Sequence, residues 1–168
     1  HIVIRGLVTS LPQGKAALEF LNLGEKLSYV GEILSESAHT VSNNHDVNGN
    51  PRLIDSLTAV RESIQKALSV MREVESLARE IHPDRLPQNY QERAGDILSA
   101  IPLLMSTIQE ADEVSGHLLY VLGDHDFRRY LVIGANSLEL RPSFGGFMGN
   151  AMLLEVTRGA VTSMDVLK

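Results

Sequence analysis

Eight apolar residues between 57 and 81 keep one rhythm: Leu57, Val60, Ile64, Ala67, Met71, Val74, Ala78 and Ile81. Steps of three and four place them on one face of a single helix, roughly 36 Å long at ~1.5 Å per residue. Pro51 and Asp55 are start signals for this helix and Pro83 stops it. Phe20, Leu23, Leu27, Val30 and Leu34 repeat the pattern earlier, after Pro12 and Gly14. Tyr90, Ala94, Ile97, Ile101, Leu104, Ile108, Ala111, Leu118 and Leu122 repeat it later, after Pro87, with Ser115 in one core slot. Pro102 lies inside the third stretch and predicts a kink near Leu98. Gly123 is placed to cap its end. Proline, glycine and the Asn48-Gly-Asn-Pro51 loop separate the stretches, which favours an antiparallel three-helix bundle over one long coiled coil. Residues in such stripes are core, and no chemistry is assigned to them.

Past Gly123 the period changes. Arg129 to Ala135, Ala151 to Val156, and Ala160-Val161 with Met164 to Leu167 read as three strands, the last two joined by an Arg158-Gly159 turn. The predicted fold is therefore α+β: residues 1–123 form the bundle, and 124–168 form a small β-sheet expected to open a truncated α/β domain. Charge changes at the same place. Residues 128–168 hold five basic and three acidic groups, a net of +2, and the rest of the chain holds −8 of the overall −6. The 168 residues begin at His1 and end within strand-like sequence, so the chain is expected to be an excised or processed fragment.

Composition narrows the function. An acidic chain of pI 5.5 offers no concentrated basic surface, so nucleic acid is not an expected partner. The absence of Cys excludes disulfides, thiolate catalysis and Cys-type zinc sites. No apolar run reaches the ~18–20 residues of a membrane span. Aromatics are only 5 %, so aliphatic side chains must build the core.

One segment has the residue types for chemistry. Between the first two strands stand Asn136, Glu139 and Arg141, followed by Gly145, Gly146 and Gly149. A guanidinium suits bidentate grip of phosphate or carboxylate. Asn and Glu oxygens suit Mg²⁺ or another hard cation. Glycines let backbone N–H groups approach an anion. The structural alternative is a Glu139–Arg141 ion pair beside a tight glycine turn. The segment is neither a Walker loop, lacking GK[ST], nor a dinucleotide fingerprint, since no helix follows it. On a strand, Glu139 and Arg141 would share one face and Asn136 the other. Asp124-His125-Asp126 groups metal-ligand types but reads as a solvated linker, because adjacent residues point apart. Arg128-Arg129 offers two charges to an anionic lipid or polyphosphate.

The order Leu122-Gly123, Arg128-Arg-Tyr-Leu-Val132, Asn136, Glu139-Leu-Arg-Pro142, Gly145-Gly-Phe147, Gly149 and Gly159 resembles the domain-of-unknown-function 4012 family of bacterial envelope proteins. There a helical region precedes a segment of the type RRYLVLxQNxxELRPxGGFxGS. Departures are Ile133-Gly134-Ala135 for Leu-Phe-Gln, Ser137 for a second Asn, Phe144 before the glycine pair, and Asn150 for Ser. The resemblance implies a membrane-anchored parent protein with its soluble part outside the cytoplasm. It implies no established activity. A further, looser likeness of the strand–acid-x-Arg–strand opening is to LytR/CpsA/Psr-type enzymes, which transfer glycopolymers from a polyprenyl pyrophosphate carrier. Two functions are therefore weighed. In one, Arg141 holds a phosphate, with Glu139 and Asn136 placing Mg²⁺, in a site for a lipid-linked glycan precursor. In the other, the chain is a non-catalytic spacer or assembly module, self-associating through a sheet edge or helix faces. An extracytoplasmic sensor bundle would leave the Glu139–Gly149 segment without a role.

Overall fold

The computed structural model describes residues 12–43, 53–136 and 147–167. Three helices precede a three-stranded antiparallel sheet, an α+β chain: α1 (Pro12–Asn43), α2 (Leu53–Glu80), a 3₁₀ turn (Pro83–Arg85), α3 (Gln88–Val121), β1 (Arg128–Asn136), β2 (Phe147–Thr157) and β3 (Ala160–Leu167). The chain divides into two compact units. One comprises His1–Asn44 with Ala59–Val114, the other His45–Thr58 with Ser115–Lys168, so α2 and α3 contribute to both. The first helix begins at Pro12, the second ends before Pro83, and the third begins just after Pro87, as the prolines require. The suggested strand at His1–Leu7 lies outside the described residues.

In the helical unit the core joins Leu23, Val30 and Ile33 of α1, Ile64, Ala67, Met71 and Val74 of α2, and Ile101, Met105 and Ile108 of α3. Leu23, Ala67, Met71 and Val74 are fully buried. Burying a Leu, Met or Val side chain is worth roughly 1.5–3 kcal/mol, so these stripes hold the unit together. Both the α1 and the α2 stripes are buried or half-buried as their spacing requires. Ile81 and Leu86 anchor the connection to α3, where the Gln91 side-chain amide donates to the Leu86 carbonyl at 2.8 Å.

The α3 stripe is corrected by one residue. Ala94, Ile101, Ile108 and Ser115 are buried, but Tyr90, Ile97, Leu104 and Leu118 are exposed, and Leu98, Met105 and Leu119 turn inward in place of the last three. Apolar residues flank the Ala94–Ser115 row on both sides, so periodicity alone cannot choose between them. The neighbouring helices choose. The helix continues through Pro102, which is exposed.

The sheet is a meander of order β1-β2-β3. Pairing of β1 with β2 runs from Arg128↔Val156 to Asn136↔Phe147, with a register shift after Gly134 that leaves Gly149 as an extra residue on β2. A second shift leaves Thr162 extra on β3. Leu131, Val132 and Ile133 alternate between faces and are all exposed, so among the described residues neither face of that part of β1 is covered.

Candidate functional site

The Arg158-Gly159 turn joins β2 to β3 in two residues, and both have positive φ, +49° and +75°. That is the geometry of a tight hairpin whose twist matches its strands. Its tip does more than reverse the chain. The Arg158 N–H donates to the Gly123 carbonyl and the Gly159 N–H to the Leu122 carbonyl, each at 2.8 Å.

Those carbonyls belong to the end of α3, whose last turn would otherwise hold unpaired acceptors. Gly123, at φ +68°, reverses the chain there. The Asp124 N–H then reaches the Leu119 carbonyl at 3.1 Å and the Gly123 N–H the Tyr120 carbonyl at 3.2 Å, the double bond pattern of a Schellman cap. Arg128 Nε donates to the Tyr120 carbonyl at 3.0 Å, and the Tyr130 hydroxyl donates to the Val121 carbonyl. With the Leu122 N–H bonded to the Leu118 carbonyl at 2.9 Å, every carbonyl from 118 to 123 has a donor.

This accounting assigns a structural task to much of the family-like sequence. The Arg128 guanidinium is also stacked on the Tyr120 ring, and Arg129 pairs with Glu155 directly across the sheet at 2.7 Å. Neither arginine stands as a spare cation for a lipid or polyphosphate. Asp124, His125 and Asp126 lie in the turn that follows the cap. His125 Nε2 is 3.4 Å from Asp124 Oδ2, its ring is 93 % exposed, and no three metal-ligating side chains gather anywhere among the described residues.

The sequence-predicted site lies at the other end of β1. Asn136 is the last residue of that strand and pairs with Phe147. Eight steps of about 3.4 Å along the strand separate it from Arg128, a span of about 27 Å. Gly149 is two residues past Phe147, at the β2 bulge, and a Cβ there would meet nothing within 4 Å. Bulges re-aim a strand end, and they are over-represented beside functional sites. Glu139, Arg141, Gly145 and Gly146 lie outside the described residues. Of the six, the structure thus brings Asn136 and Gly149 to one end of the sheet.

Spacing did not single out Tyr120 and Arg158 as partners of the cap. Gly123 was the available signal, since a left-handed helix end brings its carbonyls within reach of whatever follows. The helical unit holds two hollows that no motif marked. One, of about 280 Å³, is lined by Lys15, Glu19, Glu80, His82 and Arg85, whose acids and bases oppose one another. The other, of about 500 Å³, is almost wholly apolar. No family model matches the chain, and neither any curated protein nor any solved structure is similar to it.

Proposed function

We propose that the chain is the extracytoplasmic part of a membrane-anchored bacterial envelope protein that binds a phosphorylated glycopolymer precursor, such as a polyprenyl pyrophosphate. The segment from Asn136 to Gly149 is the binding element. Arg141 grips the phosphate, Asn136 and Glu139 place Mg²⁺ against it, and Gly145, Gly146 and Gly149 give backbone donors room to approach. The observation that carries this reading is a division of labour along β1. Arg128, Arg129 and Tyr130 of the family-like segment are bonded to the α3 end or across the sheet. The Glu139–Arg141 group follows Asn136, at the end remote from that cap.

The finer architecture is part of the proposal. The helices run up, down and up. Lys26 pairs with Glu73 and Arg61 with Asp112, while Ala16 shares a small cluster with Ala94, contacts that support an antiparallel bundle. The sheet is the opening of a larger α/β domain. Exposed apolar residues on both faces, Leu131 and Val132 of β1 and Met164 of β3 among them, support a sheet built to be covered.

A second reading rests on the same cap. If the family-like residues serve only to seat the sheet, the chain is a spacer or assembly module that self-associates through a strand edge or a helix face. Calorimetric titration of geranylgeranyl pyrophosphate into the chain, with and without Mg²⁺, separates the two. Metal-dependent binding lost in Arg141→Ala and weakened in Glu139→Gln supports the binding site. A folded chain that takes up no heat, yet sediments as a dimer, supports the module.

A further inference from the structure

We infer that the larger hollow of the helical unit is a binding pit for a compact, neutral hydrocarbon group. Its floor is Val60 and Ile64 of α2. Leu34 and Ala38 of α1 form one wall, and Ile108 and Ala111 of α3 the other. The volume, about 500 Å³, falls in the range of small-molecule pockets, and such pockets are lined mainly by apolar side chains. Ala38 and Ala111, the smallest of the six side chains, keep the two walls apart.

Polarity defines the occupant. Of the two lining hydroxyls, that of Thr107 donates to the Leu103 carbonyl at 2.9 Å, so it asks nothing of a ligand. The charges next to the lining residues are tied to each other: Arg61 Nε and Gln65 Nε2 both reach Asp112 Oδ1 at 3.2 Å. No spare charge is left beside the walls to hold an ionic headgroup. Length defines it further. The lining covers residues 34–38 on α1 and 107–111 on α3, about one helical turn or ~6 Å. A docked helix needs an apolar seam several turns long, so a ring or a short branched chain fits better than a fourth helix. This inference stands whether or not the Asn136–Gly149 segment binds phosphate.

The test is a fluorescence titration of the whole chain with N-phenyl-1-naphthylamine, a neutral apolar probe. The expected result is saturable binding of one probe per chain with a blue-shifted emission. Ala111→Phe and Ala38→Leu fill the pit from opposite walls and should each weaken binding at least ~10-fold, with helical circular dichroism unchanged. Ala38 is exposed, so its variant keeps the test decisive should Ala111→Phe fail to fold. Leu21→Ser, on an exposed position of α1 outside the lining, should leave binding unchanged. Absence of saturable binding overturns the inference, as does equal loss in Leu21→Ser. Probe release that follows dimer formation in sedimentation also overturns it, because a second copy would then be the occupant.

Discussion

The Arg128 guanidinium lies 3.7 Å from the centre of the Tyr120 ring, and its Nε donates to the carbonyl of that same tyrosine at 3.0 Å. One side chain thus holds both the ring and the backbone of the last turn of α3. Stacking of this kind at an exposed position is worth about 0.5–1 kcal/mol. A double-mutant cycle of Arg128→Ala and Tyr120→Leu should return a coupling energy of that size in urea unfolding. Arg128→Lys should recover little of it, since an ammonium carries no planar fork to stack and bond at once.

Two glycines should answer alanine with opposite signs. A Cβ on Gly123 would sit 2.6 Å from the Val156 carbonyl oxygen and 2.9 Å from that of Asp126, at a φ of +68°. Left-handed backbone costs an L-residue roughly 1–2 kcal/mol before the clash is counted. Gly123→Ala should therefore destabilise by more than ~2 kcal/mol. Gly24 lies inside α1 with nothing within 4 Å, so Gly24→Ala should stabilise by about 0.5–1 kcal/mol. Denaturant midpoints of the two variants check both signs.

Arg158 holds a left-handed conformation that suits Asn better. Its compensation is an ion pair with Asp55 at 3.4 Å, between side chains 68 % and 50 % exposed. Surface pairs of this kind contribute at most about 1 kcal/mol and often nothing. Backbone relief should win, and Arg158→Asn should raise the unfolding midpoint. The N–H bond to Gly123 is kept in the variant, because it comes from the main chain.

Ser56, buried near the start of α2, has a hydroxyl with no hydrogen-bond partner. Desolvating such a group without compensation costs about 1–3 kcal/mol. Ser56→Ala also improves helix propensity. The variant should be more stable by about 1 kcal/mol, read from thermal unfolding.

Much of this architecture can be read in the chain. Prolines 12, 83 and 87 set helix limits because a ring without an N–H tolerates few places. The α2 stripe is read correctly because its other faces are polar. The α3 stripe is not, since Ile97 and Leu98, or Leu104 and Met105, are equally apolar and only tertiary packing ranks them. The two-residue hairpin at Arg158-Gly159 is visible from its glycine. The Gly149 bulge is not, because a glycine among Gly145, Gly146 and Phe147 reads as loop as readily as strand. Nor does spacing reveal that Arg128 and Tyr130 reach back to α3, which depends on where the turn after Gly123 sends β1. At the candidate site, Asn136 and Gly149 fall at the strand ends where alternation placed them.

The meander also fixes an order of events during folding. Two residues separate β2 from β3, whereas ten separate β1 from β2. Closing the longer connection costs about 1.4 kcal/mol more in chain entropy, on a (3/2)RT ln n scaling. The β2–β3 ribbon should form first, on the microsecond scale of isolated hairpins. The Arg158 and Gly159 amides are then already aimed outward when α3 arrives, and the end of the helix lands on a mould shaped before it.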